Sequence, residues 1–172
     1  PAARNVLESL LKEYPSSDLA DEGRYSLGWA VLKSGEDGQA LAIFEEIADS
    51  SPDELLKVRA FCTAGDILME NGEIDRAIES YDQVLSNYPS SIHAYYAQYQ
   101  IAALHLKRDK TDGAILGFQA LNANFPQSSF RDDGLYGLGT AYMKKKDFED
   151  ALKVYEELLK SYPESALKQR AY

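Results

Sequence analysis

The sequence has little of the chemistry that enzymes and metalloproteins commonly use. Its 172 residues include one cysteine, Cys62, and two histidines, His93 and His105. A single cysteine excludes an intramolecular disulfide, and no CxxC or HExxH spacing offers the ligands of a metal site. No GxGxxG or GxxxxGK[ST] run is present, so no part of the chain predicts a nucleotide site. We therefore predict that the protein holds no metal and no cofactor.

Long apolar runs are also missing. No window approaches the roughly 20 apolar residues of a membrane-spanning helix, so we expect no direct insertion into a membrane. Carboxylate pairs such as Asp132-Asp133 and Glu156-Glu157 fall on helical faces predicted to be exposed. On a solvent-exposed face the two carboxyl groups of a pair have similar pKa values. Acid–base catalysis needs two groups whose pKa values differ. We predict that the segment is not an enzyme and has no catalytic residue.

The charge is strongly acidic and unevenly distributed. A formal net charge of -10 argues against nucleic acid and anionic lipid as partners, since both bind cationic surfaces. Residues 1–86 contain 18 acids and 7 bases, whereas residues 87–172 contain 10 acids and 11 bases. Two interpretations stay open at this point. The acids form a solvated surface, or they attract a basic partner or the opposite end of a second molecule.

Five of the six prolines recur every 37 residues, at Pro15, Pro52, Pro89, Pro126 and Pro163. A fixed period of this length indicates an array of one repeated structural unit. Aligned on the proline, each block has alanine 12 residues earlier, a large apolar or aromatic residue 8 earlier and an aliphatic residue 5 earlier. The three sets are Ala3, Ala40, Ala77, Ala114 and Ala151; Leu7, Phe44, Tyr81, Phe118 and Tyr155; and Leu10, Ile47, Val84, Leu121 and Leu158.

These spacings predict a pair of helices in each complete block. Steps of four and three residues place the three sets on one buried face of a helix, here called helix B. The stretch before it shows the same period and predicts helix A, with a small residue at one fixed place: Gly28, Gly65, Ala102 and Gly139. We expect this small residue to face the alanine of helix B, so that the two backbones approach closely.

The segments that bound these helices contain turn and cap residues. Gly35 and Gly72 suit the left-handed residue that ends a helix, whereas Asp109 and Lys146 replace glycine in the last two turns and specify them less well. A serine two residues after most prolines is expected to cap the next helix. These serines are Ser17, Ser91, Ser128 and Ser165. No strand-like alternation competes, so the chain is predicted to be almost entirely α-helical.

This pattern of a small residue in helix A, alanine and an aromatic in helix B and a following proline resembles the tetratricopeptide repeat. The resemblance covers essentially the whole chain and implies an all-α, right-handed α-solenoid of antiparallel helix pairs. The usual period is about 34 residues, so we expect a longer start to helix A. The expected organisation is one array: the second helix of an upstream repeat (1–17), four repeats (18–54, 55–91, 92–128, 129–165) and the start of a further helix (166–172). The chain therefore reads as a fragment of a larger protein.

The joints between repeats carry a finer resemblance. Tyr-Pro-x-Ser occurs at residues 14–17, 88–91 and 162–165. It is similar to repeats common in bacterial cell-envelope proteins, including TolA-binding periplasmic proteins and repeat-bearing lipoproteins of outer-membrane assembly. The resemblance implies the periplasm or cell envelope rather than the cytoplasm, while the residues themselves leave the compartment open.

In the family that the chain resembles, the A helices line a concave groove in which partners bind. Transferring that property by helical phase gives an A-helix face rich in aromatic and methionine side chains. We predict that its partner-binding residues are Tyr25, Trp29, Met69, Tyr96, Tyr99, Tyr136 and Met143. The alternative is that these rings only fill the wall between neighbouring A helices. The lysine and asparagine clamp of chaperone-binding members is absent, because the corresponding places carry Tyr25, Trp29, Thr63, Tyr96 and Gln100.

The sequence thus predicts a non-catalytic scaffold for protein–protein interaction that binds a protein or peptide segment in this groove. Two other functions stay open. One is structural self-association, for example a homodimer formed through exposed repeat ends at Leu7, Leu10 or Ala171-Tyr172. The other is an accessory repeat segment of a larger enzyme or of an envelope-assembly protein.

Overall fold

The computed structural model describes residues 2–126 and 130–171, except for the side chain of Ala2. These residues form nine α-helices and a short 3-10 helix at Lys168–Arg170, and they contain no strand. The prediction of an all-α fold is therefore confirmed. The helices are α1 (Ala2–Glu13), α2 (Ala20–Leu32), α3 (Asp37–Ser50), α4 (Glu54–Glu70), α5 (Ile74–Asn87), α6 (Ala94–Lys107), α7 (Thr111–Asn124), α8 (Arg131–Lys145) and α9 (Phe148–Ser161).

The helices form antiparallel pairs, as the period indicated. The A helices α2, α4, α6 and α8 each contact the B helix that follows, α3, α5, α7 and α9. These B helices begin 37 residues apart, at Asp37, Ile74, Thr111 and Phe148. The chain divides into two compact units: unit 1 covers residues 1–93 with α1 to α5, and unit 2 covers residues 94–172 with α6 to α9.

The recurring stripe of helix B forms the core of each pair. The four alanines from Ala40 to Ala151 are fully buried, and so are Phe44, Tyr81 and Phe118. The aliphatic set from Ile47 to Leu158 is buried equally well. Burying large apolar side chains contributes about 1.5–3 kcal/mol each, so this stripe stabilises the packing of helix B against its neighbours.

In three of the four pairs the small residue of helix A faces an aromatic ring rather than the alanine, whereas Ala102 lies against Gly117. A Cβ atom added to Gly65 would lie 2.6 Å from Cε1 of Tyr81, and one added to Gly139 would lie 2.4 Å from Cε1 of Tyr155. Gly28 has the same relation to the ring of Phe44. The close approach of the two helices was predicted correctly, but the small residue was expected to face the alanine of helix B and it faces the aromatic ring instead. Glycine is needed because the bulky ring of helix B lies directly against the backbone of helix A.

All four turns inside the pairs share one geometry. Gly35, Gly72, Asp109 and Lys146 have φ values of 78°, 80°, 59° and 65°, which is the left-handed region. In each turn the residue after them donates its N–H to the carbonyl five residues earlier, as Asp147 does to Tyr142 at 3.0 Å. This is the Schellman arrangement. The two turns that lack glycine therefore adopt the same conformation as the two that have it.

The serines after the prolines close a turn ahead of helix A. Oγ of Ser17, Ser91 and Ser165 accepts the N–H of the residue two positions later, at 3.2, 3.3 and 3.1 Å. They therefore do not cap the first turn of the helix itself, which for α2 and α6 begins three residues after the serine. Helix α4 is capped by Asp53, whose Oδ1 accepts the N–H groups of Leu55 and Leu56. Ser128 lies outside the described residues.

Candidate protein-interaction face

The A-helix face of unit 1 contains a packed cluster that joins α2 to α4. Tyr25 is buried, and its hydroxyl lies 3.1 Å from that of Thr63. The guanidinium of Arg59 lies 4.2 Å from the centre of the Tyr25 ring and donates to Glu22 at 3.2 Å. These contacts hold Tyr25 between the two A helices. Of the predicted binding residues, Tyr25 therefore has the least surface available to a partner.

Trp29, one helical turn further along α2, is exposed to a much greater extent. Its side chain is 40% accessible, although the indole also meets Tyr25 and Phe44 edge to face, with ring centres 6.5 and 5.9 Å apart. One side of the indole is thus fixed by the core while the other is open. Met69, on α4, is half-buried. Unit 1 therefore presents a fixed aromatic surface on its A-helix face.

In two other repeats, the residue in the place of Trp29 contacts the aromatic residue of helix B through a hydrogen bond instead of through ring packing. Asp66 accepts a hydrogen bond from the Tyr81 hydroxyl at 2.6 Å. In unit 2, the hydroxyl of Thr140 lies 3.2 Å from that of Tyr155. The sequence analysis missed this pairing. Its signal was present, because tyrosine in helix B accompanies a polar residue in helix A, whereas Phe44 accompanies Trp29.

Cys62 lies on the same helix as Asp66 and is buried. Burial raises the pKa of its thiol to about 12, and the nearby Asp66 carboxylate contributes in the same direction. Arg59, which a sequence argument could assign to the thiolate, is engaged by Glu22 and Tyr25 instead. The thiol therefore stays protonated at neutral pH, which accords with a packing role.

The A-helix face of unit 2 is built around Phe130, which directly precedes α8. The rings of Tyr95, Tyr96 and Tyr99 lie 5.2, 6.2 and 5.8 Å from it, centre to centre. Tyr99 also contacts Phe118 at 5.9 Å, and burial raises the pKa of its hydroxyl. Tyr96 and Tyr99 are half-buried, so each combines fixed packing with accessible surface.

Tyr136 repeats the arrangement of Tyr25 three repeats later. The guanidinium of Arg170 lies 4.8 Å from the centre of the Tyr136 ring, and both arginines follow their tyrosines by 34 residues. Tyr136 is half-buried, and Met143 is exposed two turns further along α8. Asp133 precedes Tyr136 on this face, and burial together with Asp132 raises the pKa of its carboxyl. Unit 2 thus presents more accessible tyrosine than unit 1.

Two other kinds of site are absent from residues 2–126 and 130–171. None of their helices combines the length and apolarity required to cross a membrane. They also bring together no group of three or more His, Cys, Asp and Glu side chains that could hold a metal ion. The aromatic surface of the A helices is therefore the candidate functional site among the described residues.

Stacked antiparallel helix pairs with a ring of one helix against a glycine of the other define a helical-repeat protein of the α-solenoid class. The chain belongs to the tetratricopeptide repeat family. One model of this family matches residues 1–54 and 62–129, and a second matches residues 133–165. Proteins of this family serve in general as non-catalytic scaffolds that bind other proteins, and no catalytic family is indicated.

Solved structures show the same fold. A crystal structure of MamA superposes with a TM-score of 0.65 at 21% identity, over 80% of this chain and 75% of that one. MamA from Desulfovibrio magneticus RS-1 gives 0.66 at 16% identity, over 92% of each chain. A tetratricopeptide repeat protein from Parabacteroides merdae gives 0.77 at 14% identity, over 98% of this chain and 62% of that one. These likenesses confirm the predicted right-handed α-solenoid class. Comparison with curated protein sequences gives no match.

Proposed function

We propose that this chain is a non-catalytic interaction scaffold that binds a protein or peptide segment on its A-helix face. The observation that carries the proposal is the accessible surface of Trp29, which is 40% exposed although its other side packs on Phe44. A fixed aromatic side chain offers a large contact area and loses little entropy on binding. The half-buried Tyr96, Tyr99 and Tyr136 support the same use of unit 2.

The proposal is tested by substitution on this face. The native partner is first captured from extract with the intact chain, and its affinity is then measured by titration calorimetry. Trp29→Ala and Tyr99→Ala are each expected to weaken binding about tenfold or more, as truncation of an aromatic anchor does. Circular dichroism is expected to show unchanged helicity.

Leu116→Ala is the matched control. Leu116 is a large apolar residue that is exposed on the B helix α7, away from the A-helix face. Its replacement removes apolar surface without touching the proposed site, so the affinity should stay unchanged. Full affinity in both aromatic variants, or an equal loss in Leu116→Ala, would contradict the proposal.

Self-association is a second candidate, favoured by the outer face of α1. Leu10 is 45% exposed, although its repeat equivalents Ile47, Val84, Leu121 and Leu158 are at most 2% exposed. Val6 on α1 and Tyr14 directly after it are also exposed, and with Leu10 they line a cleft of about 390 Å³. An apolar helix face of this kind can pack against another helix. We infer that a second copy of this chain supplies that helix.

Sedimentation equilibrium distinguishes the two candidates. If α1 mediates dimerisation, Leu10→Glu makes the chain monomeric while Trp29→Ala leaves the dimer intact. If the chain sediments as a monomer at all accessible concentrations, the self-association proposal fails and the scaffold proposal is unaffected.

We further propose that the protein works in a bacterial periplasm or cell envelope, as part of an assembly or as an accessory segment of a larger protein there. The Tyr-Pro-x-Ser joints at residues 14–17, 88–91 and 162–165 support this proposal through their resemblance to envelope repeats. Fractionation of native cells tests it, because recovery only with cytoplasmic markers would exclude the envelope.

A further inference from the structure

The turns that join helix A to helix B carry opposite charge in the two units. Aligned by the repeat, the turns of unit 1 are residues 33–37 and 70–74, and those of unit 2 are residues 107–111 and 144–148. The unit 1 turns contain four acids and one base, whereas the unit 2 turns contain two acids and six bases. All four turns have the same backbone conformation. The geometry of the turn therefore does not require the bases of unit 2.

The two turns of unit 2 lie side by side. Nζ of Lys144 donates to the carbonyl oxygen of Leu106 at 3.1 Å and also pairs with Asp109. Nζ of Lys145 donates to Asp112 at 2.7 Å. The six bases therefore share one surface, here called the basic turn surface, and all of them are exposed. It consists of Lys107, Arg108, Lys110, Lys144, Lys145 and Lys146.

Two of these lysines occupy places where local stability disfavours them. Lys110 directly precedes α7, and the positive end of the helix dipole repels a cation there. The equivalent residues of the other pairs are acidic: Glu36, Glu73 and Asp147. Lys146 has a φ of 65°, which is strained for a residue with a side chain and suits glycine. Bases present against the local preference indicate a use other than folding.

The remaining lysines differ from these two in having local support. Lys107, Lys144 and Lys145 lie in the last turn of their A helices, where a cation is favourable. The latter two also pair with aspartates. Within residues 2–126 and 130–171, no side chain forms an ion pair with the ammonium group of Lys110 or Lys146. Their charge is therefore available to a partner.

We propose that the basic turn surface binds an acidic segment of a partner protein, in which several glutamate or aspartate residues are close together. Six bases against two acids give the surface the complementary charge. The whole chain carries a net charge of -10, which repels a long polyanion such as nucleic acid, whereas a short acidic segment meets only the turns. The surface lies at the ends of the helices rather than along the A-helix face, so the inference is independent of the function proposed above.

The probes are two short peptides, acetyl-Glu-Glu-Ser-Glu-Glu-amide and acetyl-Gln-Gln-Ser-Gln-Gln-amide, titrated into the ¹⁵N-labelled chain and followed by NMR. The titrations are made at about 100 mM NaCl, where charges more than about 10 Å apart are largely screened. The glutamate peptide is expected to shift the amides of Lys110, Lys146 and their neighbours in the two turns. The glutamine peptide is expected to leave them in place.

Lys110→Glu and Lys146→Gly remove charge from the surface by copying residues of the other repeats. Both replace a locally disfavoured residue by a favoured one, so circular dichroism is expected to show an unchanged fold. Each is expected to weaken binding of the glutamate peptide about threefold, and the double variant about tenfold, because each exposed ion pair contributes little.

Lys160→Glu is the matched control, because it changes the charge by the same amount as Lys110→Glu. Lys160 is exposed in the last turn of α9, roughly 18 Å along the helix from the turn that precedes this helix. Its replacement should leave the affinity for the glutamate peptide unchanged. Trp29→Ala, which tests the A-helix face, should also bind this peptide normally.

Several results would overturn the proposal. These are equal shifts with both peptides, undiminished affinity in the double variant, or an equal loss in either control. Tighter binding of a short DNA duplex or of phosphatidylglycerol vesicles to the same turns would also overturn it, because phosphate rather than carboxylate would then be the ligand. Concentration-dependent shifts of the turns without any peptide would do the same, since a second copy would then be the occupant.

Discussion

Single glycines set the distance between paired helices. The rings of Tyr81 and Tyr155 lie so close to Gly65 and Gly139 that a Cβ atom would approach their carbons to 2.6 and 2.4 Å. Real Cβ atoms do not approach carbon this closely, so the ring or the helix would have to move. Each hydroxyl also forms a hydrogen bond with the residue that follows the glycine, Asp66 or Thr140. These bonds restrict the ring and leave little freedom to relax.

Gly139→Ala is therefore expected to destabilise the protein by about 1–3 kcal/mol, the usual cost of overpacking a core. Urea unfolding followed by circular dichroism measures the change. Gly38→Ala is the matched control, because nothing lies within 4 Å of the Cβ atom that it adds. In a helix it should be neutral or stabilising by up to about 1 kcal/mol. Equal effects of the two substitutions would show that the ring contact does not limit the packing.

At the scale of the helix pair, one turn conformation occurs with three kinds of residue. Gly35 and Gly72 adopt the left-handed region without a steric penalty, Asp109 tolerates it, and Lys146 adopts it at a cost. The cost is accepted because the same two backbone hydrogen bonds form in every turn and end helix A at the same place. The pairing of helices, rather than local preference, fixes the conformation of Lys146.

Lys146→Gly is accordingly expected to stabilise the chain, by up to about 1 kcal/mol after the greater flexibility of unfolded glycine is subtracted. Thermal unfolding would show a higher Tm. Gly35→Ala is the reverse test, since alanine at a φ of 78° is strained and should lower the Tm. A lower Tm for Lys146→Gly would mean that the lysine side chain contributes a stabilising interaction greater than its backbone strain.

At the scale of the whole chain, the net charge of -10 acts against folding. Unlike charges pair on the surface, for example Arg76 with Glu45 at 2.9 Å and Lys145 with Asp112 at 2.7 Å. Such exposed pairs each contribute little, about 0–1 kcal/mol. With 28 acids and 18 bases, repulsion among the unpaired carboxylates outweighs them.

Salt should therefore stabilise the protein. Raising NaCl from about 10 mM to about 200 mM shortens the range of charge repulsion, so the Tm is expected to rise. Glu46→Lys replaces one exposed acid by a base and should make the rise smaller. Scanning calorimetry at the two salt concentrations checks both expectations. A Tm that falls with salt would mean that attraction within the surface ion pairs exceeds the overall repulsion.

The sequence by itself determined the repeated helix pair. The spacing of prolines, alanines and large apolar residues specifies which face of helix B is buried, because an amphipathic helix brings residues three and four apart onto one side. Family membership, the all-α class and the chemistry of the A-helix face follow from that local order. The pairing of tyrosine in helix B with Asp66 or Thr140 was also readable, but only by comparing two helices position by position.

Only the tertiary structure decided which of these side chains are accessible and which are not. Trp29 and Tyr25 lie one turn apart on α2 and were predicted alike, yet Tyr25 is buried against Thr63 while Trp29 stays open. The left-handed turn at Lys146 likewise forms although the sequence has no glycine there. Helical periodicity is a local property of the chain, whereas exposure depends on the volume and hydrogen bonds of neighbours in the adjacent repeat. The possible binding surfaces are therefore settled by packing between repeats, and the pattern of any one repeat leaves them undetermined.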